Sequence, residues 1–193
     1  RFVNHSSFII SNKNISIICD PWLDNKVFNN GWSQIAKTKM LYEEFKDITH
    51  IWFSHEHPDH FFPPNLNKIP KELRSRITIL YQKTLDKKVI KYCEKIGFNK
   101  IIELKTNTYE KIGDSFEVVC NPVGAGDSYI LFKIDNYKIL NINDCLVTSK
   151  KRMKELKAIV GNNIDVLFSQ FGYANVFGNQ SQKEARVNAA KKN

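Results

Sequence analysis

No stretch of the 193 residues approaches the ~18 consecutive apolar positions that a membrane-spanning helix needs. Cysteine is scarce and unpaired in spacing: Cys19, Cys93, Cys120 and Cys145 include no CxxC, and most follow β-type apolar residues. They read as reduced thiols packed in a core, which is expected of a cytoplasmic protein. There is no internal repeat, low-complexity linker or visible break between domains, so length alone suggests one domain over residues 1–193. The chain opens at Arg1 without a methionine or signal-peptide pattern and reads as a fragment or a trimmed chain. A hydrophobic content of 42% suffices for a sizeable core.

Acidic residues are also the minority, 20 against 29 Lys and Arg, for a net charge of +9. Clustered bases would suggest nucleic acid. Here they are spread through Lys68–Lys111 and Lys150–Lys192, mostly on the polar faces of expected helices. That pattern makes nucleic acid an unlikely partner, while still steering small anionic substrates towards the protein.

Histidine is equally rare, but four of the five lie between residues 50 and 60. The run His55-Glu56-His57-Pro58-Asp59-His60 follows the apolar stretch Ile48-Thr49-His50-Ile51-Trp52-Phe53. Imidazole and carboxylate bind zinc, iron and manganese at neutral pH. Residues two apart in an extended segment project to one side, so His55 and His57 can hold one ion while Glu56 points away. Pro58 bends the chain and lets Asp59 and His60 reach a second ion.

This HxHxDH run resembles the signature of the metallo-β-lactamase superfamily. The opening Asn4-His5-Ser6-Ser7 and Asp20-Pro21-Trp22-Leu23, and the later Asn143-Asp144-Cys145, are similar to its flanking motifs. Within the superfamily these segments look most like the metallo-hydrolase-like domain of the CMP-N-acetylneuraminate hydroxylase family. The resemblance covers residues 1 to about 178 and implies an α/β fold, the αββα sandwich. It further implies that His55 and His57 bind one divalent ion, Asp59 and His60 a second, and that Asp144 bridges them. Asp59 is then also the catalytic residue of the motif. Asp20 is expected to orient a histidine, and His5 either touches the site or serves as a hydrogen-bonded turn residue. Zinc is the first expectation for the metal, with iron or manganese as alternatives. Two such cations would lower the pKa of a shared water.

Two parts of the family pattern are missing. The loop Asn121–Asp127 holds no third histidine, leaving Asp127 as the substitute oxygen ligand or as a plain turn residue. Histidine installed at Gly124 or Ala125 should repair this gap, whereas Gly126 is expected to need a positive φ. The last histidine of the pattern would lie beyond this chain, so the second half of the sandwich reads as truncated. A further segment or a partner chain would complete it.

Elements follow from periodicity. A hairpin is expected over 7–10 and 15–19, and strands over 49–53, 77–81, 100–104, 115–120, 128–134, 137–142 and 165–169. A short helix opens at Pro63-Pro64-Asn65. A second helix runs from Leu85 to Ile96 with Gly97 as its cap, and a third begins at Thr148 or Ser149 and closes at Gly161. The tail Gln182–Asn193 reads as a basic helix. Three functions fit: a metal-dependent hydrolase acting on a small anionic substrate, an oxygenase domain of the sialic acid hydroxylase type acting on a nucleotide sugar, or a degenerate metal-binding module. No Cys-x-His pair of a Rieske cluster is present, so the chain as it stands carries no iron–sulfur centre.

Overall fold

The computed structural model describes residues 1–124 and 126–170. The expected tail helix at 182–193 and the position Ala125 lie outside them. In chain order the elements are β1 (Phe2–Asn4), β2 (Ser7–Asn12), β3 (Ile15–Cys19), a short 3-10 helix (Tyr42–Asp47) and β4 (His50–Phe53). Next come α1 (Pro63–Lys68), α2 (Lys71–Arg74), β5 (Thr78–Gln82), α3 (Lys88–Lys95) and β6 (Lys100–Leu104). The remainder is β7 (Glu110–Gly113), β8 (Phe116–Val123), β9 (Asp127–Ile134), β10 (Tyr137–Asn143), α4 (Lys150–Val160) and β11 (Val166–Ser169).

These strands form two sheets, β1 to β6 in sequence order and β11-β10-β9-β8-β7. In the first sheet β3, β4, β5 and β6 run parallel behind the antiparallel β1–β2–β3. The second is antiparallel except for β11 beside β10. Parallel strands are covered on both faces, which explains why they read as continuous apolar runs. Neighbouring residues nevertheless divide between layers. Ile17, Cys19, Trp52 and Leu80 meet Val118, Cys120, Ile130 and Phe132 between the two sheets. Ile18, Ile51, Phe53, Ile79 and Tyr81 face outward under Phe45, Leu66, Val89, Ile90 and Cys93. Val119, Leu131, Leu140 and Ile142 face the other way, against Leu156 and Val160 of α4 with Cys145. The result is the four-layered α/β sandwich expected from the sequence. All four cysteines are free and buried. Among the described residues no helix is long and apolar enough to cross a membrane.

Some expectations need correction. The second helix starts at Lys88, not Leu85. Lys87 adopts the left-handed conformation (φ 56°), which stops the helix from extending backwards. The Asp86 carboxylate accepts the Lys88 N–H at 3.3 Å, and Leu85 is fully exposed. The stretch Asn121–Asp127 is mostly strand, since β8 pairs with β9 out to Val123 opposite Asp127. Gly124 shares the positive φ expected only of Gly126, at 70° and 156° respectively, so a histidine at Gly124 would be strained. The short elements β1, β7, α2 and the 3-10 helix have too few periodic residues to be read from the sequence. At the far edge, Val166 and Leu167 of β11 and the nearby Ile164 are exposed.

Candidate metal centre

The parallel strands deliver the candidate residues to one end of the sandwich. β3 ends at Cys19 and turns through Asp20, β4 ends at Phe53 and leads through Ser54 into His55–His60, and β10 ends at Asn143 before Asp144. The ends of parallel strands are a common place for a site, because loops leaving them converge there. Three of the residues that turn the chain here, His5, Asp20 and Asn143, hold left-handed φ values of 49°, 40° and 47°. Histidine, aspartate and asparagine tolerate that region better than bulkier side chains.

Asp20 is the hub of the arrangement and is fully buried. Its Oδ1 accepts the Ser54 backbone N–H at 2.7 Å, and its Oδ2 accepts the Ser54 hydroxyl at 2.8 Å. The same Oδ2 faces His60 Nδ1 at 3.1 Å and accepts the Asn143 side-chain amide. These bonds fix the tautomers of two rings. Because the single Ser54 hydroxyl proton goes to Asp20, the contact between Ser54 Oγ and His55 Nδ1 (2.9 Å) has the histidine as donor. His55 and His60 thus both spend Nδ1 on the Asp20 network and turn Nε2 towards the open end of the sandwich.

The Nε2 atoms face unusual company. His60 Nε2 is buried without a hydrogen-bond partner among the described residues, yet Asp59 Oδ2 and Asp144 Oδ2 each stand 3.3 Å from it. His55 Nε2 lies 2.8 Å from His57 Nδ1, 3.9 Å from Asp127 Oδ1 and 4.0 Å from Asp144 Oδ2. His5 Nε2 is 3.0 Å from Asp59 Oδ2, the oxygen that also faces His60 Nε2. Among the described residues, three donor sets have all their ligand atoms within 4.8 Å of one another: His55, His57 and Asp127; His55, His60 and Asp144; His5, Asp59 and His60. An orphaned buried nitrogen beside two carboxylate oxygens, with imidazole pairs on either side, is a donor set that a divalent cation fits.

Titration behaviour points the same way. Burial opposes charge on His60, but Asp144, Asp20 and Asp59 outweigh it and raise its pKa well above the ordinary value. Burial and the neighbouring His60 lower His55 despite the surrounding carboxylates. Burial works against ionised Asp59, yet His5 and His60 hold its carboxyl well below the usual range. Asp144 is lowered against burial by His60 and His55. A pocket that keeps its acids ionised and draws a proton onto a buried histidine is one in which a cation can replace that proton.

All the residues expected at the site are therefore brought to one place: His55, His57, Asp59, His60 and Asp144, with Asp127, Asp20 and His5 at its edges. Glu56 is exposed and turns to Lys88 at 3.8 Å, away from the cluster. Sequence reasoning overlooked the residues that brace this cluster. Ser54 and Asn143, adjacent to named residues, carry the Asp20 network. Gln82 at the end of β5 donates from Nε2 to the carbonyls of Ser54 (3.2 Å) and Gly126, and the Ser128 hydroxyl also donates to the Ser54 carbonyl (2.6 Å). Together they tie the turn before Asp127 to the histidine loop. Only the polarity of Gln82 at the end of an apolar strand could have revealed it.

Residues 1–181 match the family model described as the beta-lactamase superfamily domain. The cytidine monophosphate-N-acetylneuraminic acid hydroxylase of Xenopus laevis is 26% identical over 150 residues, 75% of this chain and 25% of that protein. The chain spans between 13% and 32% of the length of the curated relatives it matches, which also include mycobacterial proteins named as Rieske 2Fe-2S iron–sulfur proteins. Among solved structures, CmlA, a diiron β-hydroxylase from Streptomyces venezuelae, superposes with a TM-score of 0.65 at 18% identity, over 86% of this chain and 33% of that one. The isothiocyanate hydrolase from Delia radicum gut bacteria superposes with a TM-score of 0.67 at 14% identity, over 99% and 80%. At such identities the two structures share the fold with this chain.

Proposed function

The chain belongs to the beta-lactamase superfamily domain family, and from that premise we propose that its histidine–aspartate cluster is a divalent-cation centre serving hydrolysis of a small, anionic substrate. The observation that carries this reading is the buried, unpartnered His60 Nε2 with two aspartate oxygens at 3.3 Å. In this reading His55, His57 and Asp127 would hold one ion and Asp59 with His60 a second, with Asp144 Oδ2 near both His55 and His60. His5 supports Asp59. Bound there, divalent cations would acidify water and polarise the substrate oxygen.

The protein's own groups have definite tasks in such a site. Asp20 holds His55, through Ser54, and His60 in the tautomers that leave Nε2 free. Asp59 stays ionised across neutral pH, which suits a ligand that also orients the attacking water through the oxygen left over. The net positive charge of +9 raises the local concentration of anions.

A second reading has its own support. Three carboxylates beside four imidazoles make a harder donor set than a three-histidine zinc site, and oxygen donors suit iron or manganese. The similarity to two hydroxylases leans the same way. The reading is then an oxygenase-type domain rather than a hydrolase. Elemental analysis of protein purified without added metal, followed by assays with and without a chelator, tests the proposal. Two zinc ions with chelator-sensitive cleavage of phosphodiester or lactone probes are expected. Iron with dioxygen consumption would replace hydrolysis by the second reading, and a single ion or none would leave only a binding module.

A further inference from the structure

Between the Asp20 turn and the 3-10 helix, the chain makes an excursion whose tip, Val27–Ile35, carries no charge at all. The tip is built with care. Val27 is buried, and it exchanges two backbone hydrogen bonds with Trp32, at 3.0 and 3.2 Å. Between them Phe28, Asn29 and Asn30 adopt left-handed conformations (φ 50°, 52° and 66°), and the Gly31 N–H closes the turn on the Phe28 carbonyl at 3.0 Å. The base of the excursion is pinned as well. The Asn4 amide donates to Ala36 O and Thr38 Oγ1, both at 2.7 Å, and the Gln34 amide donates to the Trp22 carbonyl at 2.5 Å.

This framework spends its order on holding two aromatic rings in the open. Phe28 is 40% exposed and Trp32 is 52% exposed, and they meet edge to face at 5.0 Å. Exposed rings held rigidly beside a site are a recognition feature more often than a packing one. Phe28 also stands edge to face against His57, with 6.4 Å between ring centres. His57 is the exposed member of the histidine loop, so the cluster opens to solvent on the side that Phe28 borders.

Resting on the cation-centre reading, we infer that Phe28 and Trp32 form a shelf that binds a planar, apolar or aromatic group of the substrate while its polar group reaches the cluster. The shelf offers two ring faces and edges, it has no charge to recognise an anion, and it ends at His57. A ring stacked there lies within one side-chain length of the donor atoms. Phe28 and Trp32 are specificity-determining residues in this account, not catalytic ones.

The test uses two metal-binding probes with the same head group, acetohydroxamate and benzohydroxamate, titrated calorimetrically into metal-loaded protein. Wild type is compared with Phe28→Ala, Trp32→Ala and the double variant, so that intrinsic differences between the probes cancel. Wild type should prefer the phenyl probe by about tenfold, and the double variant should lose most of that preference with the acetohydroxamate affinity unchanged. A phenyl preference that persists in the double variant overturns the shelf, as does equal binding of both probes by wild type. Failure of acetohydroxamate itself to bind would instead remove the cation centre, and the shelf with it. Thermal melts separate one more case. A large drop in melting temperature in Phe28→Ala, with the preference retained, would mean that the ring packs against protein and would overturn the proposal.

Discussion

The two sheets contribute to the candidate centre in different ways. From the first come Asp20, His55, Asp59 and His60, whose side chains are at most 6% exposed and knit together by hydrogen bonds, with the exposed His5 and His57 at their rim. From the second come Asp127 and Asp144, each about a third exposed, reaching histidine nitrogens at 3.3 to 4.0 Å. One half of the site is thus a preorganised frame and the other a pair of adjustable oxygens. A donor held by neighbours pays its ordering cost during folding, so it binds without further loss, whereas a freer carboxylate can adapt its distance to the ion or substrate.

The sharpest way to break this contrast is to remove the hub. Asp20→Ala leaves the Ser54 N–H and hydroxyl, His60 Nδ1 and the Asn143 amide without their acceptor in a buried place. It should cost about 3 to 5 kcal/mol in a urea melt. A cost below about 1 kcal/mol would mean that the frame is not built on Asp20. Next in size, His60→Ala should lower metal affinity on the order of 100-fold while leaving most of the fold intact, with His57→Ala close behind. Unchanged metal content in both variants, measured by elemental analysis, would refute the assignment.

The same strand offers a control at its other end. His50 begins β4, far along the strand from the cluster, with Nδ1 against the Thr49 hydroxyl at 2.7 Å. Burial, aided by the charge of Lys100, lowers its pKa from 6.5 to about 4. Between those values the unfolded chain binds a proton that the native chain does not, so stability falls as the pH drops through that window. The full effect is about 2 to 3 kcal/mol, and His50→Gln should flatten that part of the profile. An unaltered acid limb in the variant would assign the loss to other groups. Smallest of all, Asp127→Ala should weaken metal binding by about tenfold, and Glu56→Ala by less than about twofold. Equal losses in those two would erase the distinction between a residue facing the cluster and one facing Lys88.

The frame was far more legible in the sequence than the adjustable half. Strands such as Ile15–Cys19 and Ile77–Tyr81 announce themselves by β-branched and aromatic runs, and the histidine loop by a spacing that has few other uses. Asp127 and Asp144 could be suggested only by resemblance, because nothing in spacing tells how two sheets will bring distant turns together. The excursion carrying Phe28 and Trp32 was silent for a related reason. Its order comes from long-range bonds to Asn4 and from consecutive left-handed residues, neither of which leaves a periodic pattern.

The four free cysteines happen to sample each of the three apolar cores of the sandwich. Cys93, on α3, faces the core between the helices and the first sheet, Cys19 and Cys120 lie between the sheets, and Cys145 lies beneath α4. Burial pushes Cys120 up to about 11 and Cys93 to about 12, and raises Cys19 and Cys145 as well. In the native state such thiols are closed to alkylating reagents twice over, by lack of access and by lack of thiolate. The chain therefore carries its own set of reporters. The order in which its thiols are trapped by a reagent during slow unfolding records which layer opens first, without a single introduced label.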